Sequence, residues 1–104
     1  MITKKKSDAK KFLEDLCGGP LTFGEMIESV RQTDEISQAD LARRMRISRA
    51  VPCDIEKGRR PATVERAKRF ATVLGYSVNQ FVAVAVEDQL RKAGLKVTVH
   101  LEAA

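Results

Sequence analysis

Apolar residues recur at three- and four-residue spacings through most of the chain, a pattern that predicts amphipathic helices. The first apolar stripe precedes the break Gly18-Gly19-Pro20 and consists of Ala9, Phe12, Leu13 and Leu16. We therefore predict a helical arm over residues 1–20, which precedes the main domain.

Polar residues that can accept hydrogen bonds from backbone amides mark the starts of five further helices. They are Thr22, Ser37, Ser48, Thr63 and Ser77. Glycine breaks then mark several helix ends, at Gly58, Gly75 and Gly94. The pattern predicts helices at about residues 23–33, 38–45, 49–57, 63–74 and 78–93.

Two segments carry a strand-like signal. Phe81–Val86 is rich in valine, but the preceding Ser77 cap and the helical spacing of its apolar residues favour a helix. In the tail over residues 94–104, apolar and polar residues alternate from Leu95 to Glu102, which predicts a half-buried strand. A lone strand leaves its backbone groups unpaired, so we expect it to pair with another copy or another protein through Leu95, Val97, Val99 and Leu101.

Length and composition suit one helical domain. The chain has 104 residues, of which 43% are hydrophobic and 32% charged. Its longest uncharged run, Gly75–Val86, is too short to span a bilayer, and the basic start lacks the apolar run of a secretory signal. We expect a cytoplasmic protein in which Cys17 and Cys53 are reduced thiols.

The charge is concentrated in one part of the chain. The net charge is +5, and the segment over residues 41–60 contains an excess of the same size. This segment includes two short predicted helices joined by Arg46-Ile47-Ser48. So short a connection indicates a helix-turn-helix, whose second helix can enter the DNA major groove, about 12 Å wide.

The run SQADLARRMRISRAVPCDIEKGRR, residues 37–60, resembles the helix-turn-helix of the phage Cro and repressor family, also called XRE-type regulators. The shared features are Ser-Gln, Leu-Ala, a serine-capped recognition helix and Ile-Glu-x-Gly. The likeness extends from about Leu21 to Val86. It implies an all-α fold: a five-helix, repressor-like DNA-binding domain over residues 21–93, with the N-terminal helical arm and the C-terminal β-strand outside it.

The resemblance also implies which residues touch double-stranded DNA. Gln38 would contact the phosphate backbone, and base edges would face Ser48, Arg49, Ala50, Cys53 and Asp54. An arginine can bind guanine through two hydrogen bonds, so Arg49 is the strongest candidate for base reading. Asp54 would either accept from cytosine or repel phosphate. Phosphates would bind Lys57, Arg59 and Arg60.

Two further positions bear on the recognition helix. In the family, an arginine of the first helix binds a glutamate of the third, and Arg31 and Glu56 match this structural pair. Pro52 departs from the family pattern because it lacks an amide hydrogen and disfavours helical geometry at Val51. The helix must therefore begin late, near Pro52, or have a distorted first turn.

The residues indicate no catalytic site, metal site or cofactor, since His100 is the only histidine and the cysteines are far apart in sequence. Two functions remain. The first is a homodimeric repressor that binds a palindromic operator. The alternative is an antitoxin of a toxin-antitoxin pair, which binds a toxin protein through the arm or the tail and regulates its own operon.

Overall fold

The computed structural model describes residues 22–101. Five α-helices lie in this range: α1 Phe23–Thr33, α2 Gln38–Met45, α3 Ala50–Glu56, α4 Val64–Leu74 and α5 Val78–Lys92. They confirm the five predicted helices, including α5 across the valine-rich segment. The predicted arm over residues 1–20 lies outside the described residues, as do residues 102–104 at the end of the tail.

The caps read from the sequence start four of the helices. The side chains of Thr22, Ser37, Thr63 and Ser77 each accept a hydrogen bond from the amide three residues later. At α1 the cap is reciprocal, because Glu25 accepts from the Thr22 amide at 3.0 Å. These contacts satisfy amides that have no partner within the helix, so local sequence sets where each helix begins.

All five helices end in the same backbone motif. In each, an amide beyond the helix donates to the carbonyl five residues earlier, as from Ile47 to Ala42 at 3.0 Å and from Arg59 to Asp54 at 2.8 Å. The motif requires a left-handed residue. Glycine supplies it three times, whereas Glu35 and Arg46 adopt it with φ of 57°. The chain therefore turns sharply at each helix end, which allows short connections.

Three phenylalanines form the centre of the core. Phe23 of α1 meets Phe70 of α4 and Phe81 of α5 edge to face, with ring centroids 5.8 and 6.1 Å apart. All three are buried. Edge-to-face pairs are favourable beyond the burial of their area, so the first helix is held against the last two.

Close backbone contact joins α1 to α3. A Cβ atom at Gly24 would lie 2.2 Å from the carbonyl oxygen of Ile55 and 2.8 Å from that of Glu56. Such an approach is possible only for glycine. The start of α1 thereby supports the end of α3 and fixes how α3 stands on the domain.

The predicted C-terminal strand is not present: residues 95–101 form no strand in the described chain. Two side chains of α5 instead contact the tail backbone. The Val99 amide donates to Glu87 at 2.9 Å, and the Leu101 carbonyl accepts from Asn79 at 3.5 Å. The prediction was wrong because strand structure requires a second strand, and the described chain offers none.

Candidate nucleic-acid interface

The turn between α2 and α3 consists of residues 46–49. Left-handed Arg46 reverses the chain after α2, and Ile47 packs against the core. Arg69 of α4 donates a hydrogen bond to the Met45 carbonyl at the end of α2. A cation at a helix C-terminus is also favourable for the helix dipole. The two helices therefore form a helix-turn-helix unit that α4 supports.

The first turn of α3 adapts to Pro52. A residue with an amide hydrogen at position 52 would donate to the Ser48 carbonyl, but here Val51 donates to it instead, at 3.0 Å. The Ser48 hydroxyl also accepts from Ala50 at 3.2 Å. The regular helix begins at Ala50, one residue later than predicted, and the Pro52 ring is buried.

One side of α3 faces the domain and carries a buried carboxylate. Glu56 accepts from Arg31 Nε at 2.8 Å, from Arg31 Nη2 at 3.1 Å and from Gln38 Nε2 at 3.0 Å. Arg31 also donates to the Ile36 carbonyl at 3.0 Å. The hydrogen bonds to Glu56 raise the pKa of Arg31 above its ordinary value, against the opposing effect of burial. This network joins α1, α2 and α3.

Gln38 is placed differently from the simple expectation. The family resemblance implies that it contacts DNA phosphate, and in the structure its side-chain amide also donates to Glu56. An amide group has two hydrogens, so one remains for another acceptor. Spacing alone did not reveal this contact, since 18 residues separate Gln38 from Glu56 in sequence.

The other side of α3 is open to solvent. Ser48, Arg49, Ala50 and Lys57 are exposed, and Cys53 and Asp54 are half-buried. Cys53 is a free thiol. Within residues 22–101, Arg49 and Lys57 make no side-chain hydrogen bond or ion pair. The structure thus brings the predicted base-reading residues onto one accessible surface.

Asp54 has partners that the sequence analysis missed. Its carboxylate accepts from Arg60 Nη2 at 3.3 Å and lies 3.5 Å from Arg59 Nη1. These two arginines are the predicted phosphate ligands. The signal was the glycine turn at Gly58, which directs the chain back past the end of α3 and returns residues 59 and 60 to Asp54.

Further cations flank this surface. Arg43 pairs with Asp40 on α2, whereas Arg44 and Arg46 are exposed. The acidic residues of α2 and α3 are all engaged by arginines: Asp40, Asp54 and Glu56. Exposed cationic charge therefore predominates around the helix-turn-helix, as attraction to DNA phosphates requires.

No group of three His, Cys, Asp or Glu side chains that could hold a metal ion occurs within residues 22–101. In the same range, each helix falls short of the length and apolar character needed to cross a membrane. Around α3, the described surface is rich in cationic side chains and hydrogen-bond donors.

The exposed α3 on a two-helix unit surrounded by cations defines a helix-turn-helix DNA-binding domain. The family model described as Helix-turn-helix (HTH_3) matches residues 27–81, just over half of the chain. The chain therefore belongs to this family, the XRE type to which it bears a resemblance in sequence, and it is a DNA-binding transcriptional regulator. No curated protein and no solved structure gave a significant match.

Proposed function

We propose that the protein is a homodimeric repressor that binds a palindromic operator with α3 in the major groove. The observation that carries this proposal is the open side of α3, where Arg49 is exposed and makes no side-chain bond within residues 22–101. A guanidinium that no carboxylate engages is available to bind guanine O6 and N7.

Each residue has a role set by its position. Ser48, Arg49 and Ala50 at the start of α3 reach base edges first, followed one turn later by Cys53. Asp54, next to Cys53, either accepts from cytosine N4 or repels phosphate. Lys57, Arg59 and Arg60 bind phosphates beyond the end of α3, and Gln38 binds a phosphate at the start of α2. Arg31 and Glu56 hold α3 in place and do not touch DNA.

The tail supports the dimer part of the proposal. Leu95, Val97 and Leu101 are large apolar residues that stay exposed in the single chain, and Val99 is half-buried. Burial of apolar side chains stabilises an interface, so contact between two tails joins the protomers. A dimer of this type presents two copies of α3 to half-sites about 34 Å apart.

Selection of bound duplexes from a random DNA pool tests the operator, and sedimentation measures the mass of the protein in parallel. We expect a palindromic consensus and a dimer. Deletion of Lys96–Ala104 should give monomers and weaken binding to the full palindrome more than to a half-site. A dimer of unchanged stability after this deletion would contradict the role of the tail.

The same exposed tail favours a second candidate function, an antitoxin that binds a toxin protein and regulates its own operon. Here Leu95, Val97 and Leu101 would contact the toxin, not another copy. Coexpression with the product of the neighbouring gene discriminates the two functions. If the tail binds a toxin, Val97→Ser should abolish the complex and leave the self-association of the chain unchanged. Loss of self-association in this variant would favour the dimer instead.

A further inference from the structure

We infer that Asp54 is an internal counter-ion that holds Arg59 and Arg60 in the free protein and that DNA phosphate must displace. This inference rests on the proposed contact of Arg59 and Arg60 with phosphates. It adds a role for Asp54 as a positioning residue that weakens binding to every DNA sequence and requires no contact between Asp54 and a base.

The backbone fixes the geometry of this cluster. Gly58 is left-handed with φ of 76°, and the Arg59 amide donates to the Asp54 carbonyl at 2.8 Å. The two arginines therefore begin next to the residue whose carboxylate they bind. The Asp54 side chain can engage both, at 3.5 Å to Arg59 and 3.3 Å to Arg60.

The distances and exposure indicate that the cluster can exchange its partners. The Asp54 side chain is 27% exposed and that of Arg59 is 63% exposed. Ion pairs this accessible to water contribute little to stability. A phosphate oxygen can therefore replace the carboxylate at a small cost, which separates this cluster from the buried pair at Glu56.

Arg60 has a further reason to change partner. Its Nε atom is buried and makes no hydrogen bond within residues 22–101. A buried donor without a partner is unfavourable, so the conformation bound to Asp54 leaves part of the guanidinium unsatisfied. Movement of Arg60 to a phosphate allows both edges of the group to be hydrogen-bonded or hydrated.

Once the arginines leave Asp54, its carboxylate can act on DNA in one of two ways. As a counter-ion, its charge lies near phosphate and opposes binding to any sequence. As a base reader, it would accept from cytosine N4 and favour one base pair. Replacement of the carboxylate by an amide has opposite consequences in the two cases.

The test compares Asp54→Asn with the wild type on a short random-sequence duplex over a range of salt concentrations. We expect Asp54→Asn to bind about three- to tenfold more tightly at low salt, because two exposed ion pairs no longer compete with phosphate. The slope of log affinity against log salt should become steeper by about one unit. Glu65→Gln removes the same charge at an exposed position that has no arginine partner among the described residues and should change affinity by less than about twofold.

A double-mutant cycle assigns the effect to the arginine. Arg60→Gln should reduce affinity more in the Asp54→Asn background than in the wild type, because only there does Arg60 bind phosphate without first leaving a carboxylate. Equal losses in the two backgrounds would overturn the inference.

Selection of bound sites with both proteins completes the test. We expect the same consensus for wild type and Asp54→Asn. Weaker binding by Asp54→Asn together with a lost preference at one cytosine would overturn the counter-ion role and leave the DNA-binding proposal intact. Failure of the wild type to bind any duplex would overturn both.

Discussion

The two carboxylates of α3, Asp54 and Glu56, are two residues apart and both bind arginine, yet they differ in burial. The Glu56 side chain is 2% exposed and its partner Arg31 13% exposed. The Asp54 side chain is more accessible, and its contacts with arginine are longer. Of the two, Asp54 is therefore the carboxylate that solvent reaches and that we propose lies near DNA, whereas Glu56 holds α3 on the domain.

An acidic residue on the recognition helix can therefore have either of two roles, which its burial decides. Water screens the charge of Asp54 and lets its partners exchange. At Glu56, separation of the pair would leave a buried charge without compensation, and such a loss is expensive. A carboxylate therefore holds the fold on one side of α3, and we propose that a second carboxylate modulates DNA binding on the other side.

The largest expected effect comes from removal of the buried carboxylate. Glu56→Ala should lower the free energy of unfolding by about 3 kcal/mol, because Arg31 stays charged and loses its partner. Urea denaturation measures the change. Asp54→Ala is the matched control on the same helix and should change stability by less than about 1 kcal/mol. Similar losses for both variants would contradict the comparison.

A substitution in α1, the helix that supports α3, should cause the next largest loss of stability. Gly24→Ala places a methyl group 2.2 Å from the Ile55 carbonyl oxygen, so α1 and α3 must separate. We expect a loss of about 2 kcal/mol of unfolding free energy in urea denaturation and weaker DNA binding, because α3 moves relative to α2. Gly58→Ala is a useful contrast, since no atom lies within 4 Å of its added Cβ and only the left-handed backbone is strained.

Contacts within a helix start were predictable from spacing, and the distant pair Arg31–Glu56 was predictable from the family resemblance. Contacts that depend on the path of the chain and that the resemblance does not include were missed. Helix starts could be predicted because a cap joins residues three apart, as at Thr22 and Glu25. The contact of Asp54 with Arg60 was missed, since it depends on the course of the chain after Gly58. The prediction of a strand in the tail was wrong for a related reason. The alternation in Leu95–Leu101 concerns a single strand, whereas a strand forms only beside a partner strand, which local sequence does not reveal.

A substitution in the turn that leads into α3 should raise the free energy of unfolding instead of lowering it. Arg46 adopts a left-handed conformation that glycine accepts at no steric cost. Arg46→Gly should therefore raise the free energy of unfolding by about 1 kcal/mol in urea denaturation. Glu35→Gly, at the other left-handed residue of this kind, should give a similar gain. A loss at Arg46 alone would indicate that its side chain stabilises the turn.

A third carboxylate, that of Asp34, has a neutral partner, the phenol of Tyr76. Its contribution to stability should be the smallest of the three. Tyr76 donates to Asp34 at 3.3 Å, and burial, together with the Asp34 charge, raises the pKa of Tyr76 to about 12. The folded protein then keeps the phenol proton at a pH where the unfolded chain has lost it. Stability should fall as pH rises from about 10 to about 12.

Tyr76→Phe checks this linkage. The variant lacks the phenol, so its stability should depend less on pH between 10.0 and about 12. Thermal unfolding over that range measures the slope for both proteins. Equal slopes would show that Tyr76 does not keep its proton longer in the folded state.

In our proposal, the open side of α3 reads the operator, with Arg49 as its main base contact. The most direct test is selection of bound duplexes with Arg49→Ala, after circular dichroism has shown that its helix content matches the wild type. We expect weaker binding and a relaxed preference at one base pair in each half-site, a loss of about 1–3 kcal/mol of discrimination. An unchanged consensus at unchanged affinity would contradict the claim.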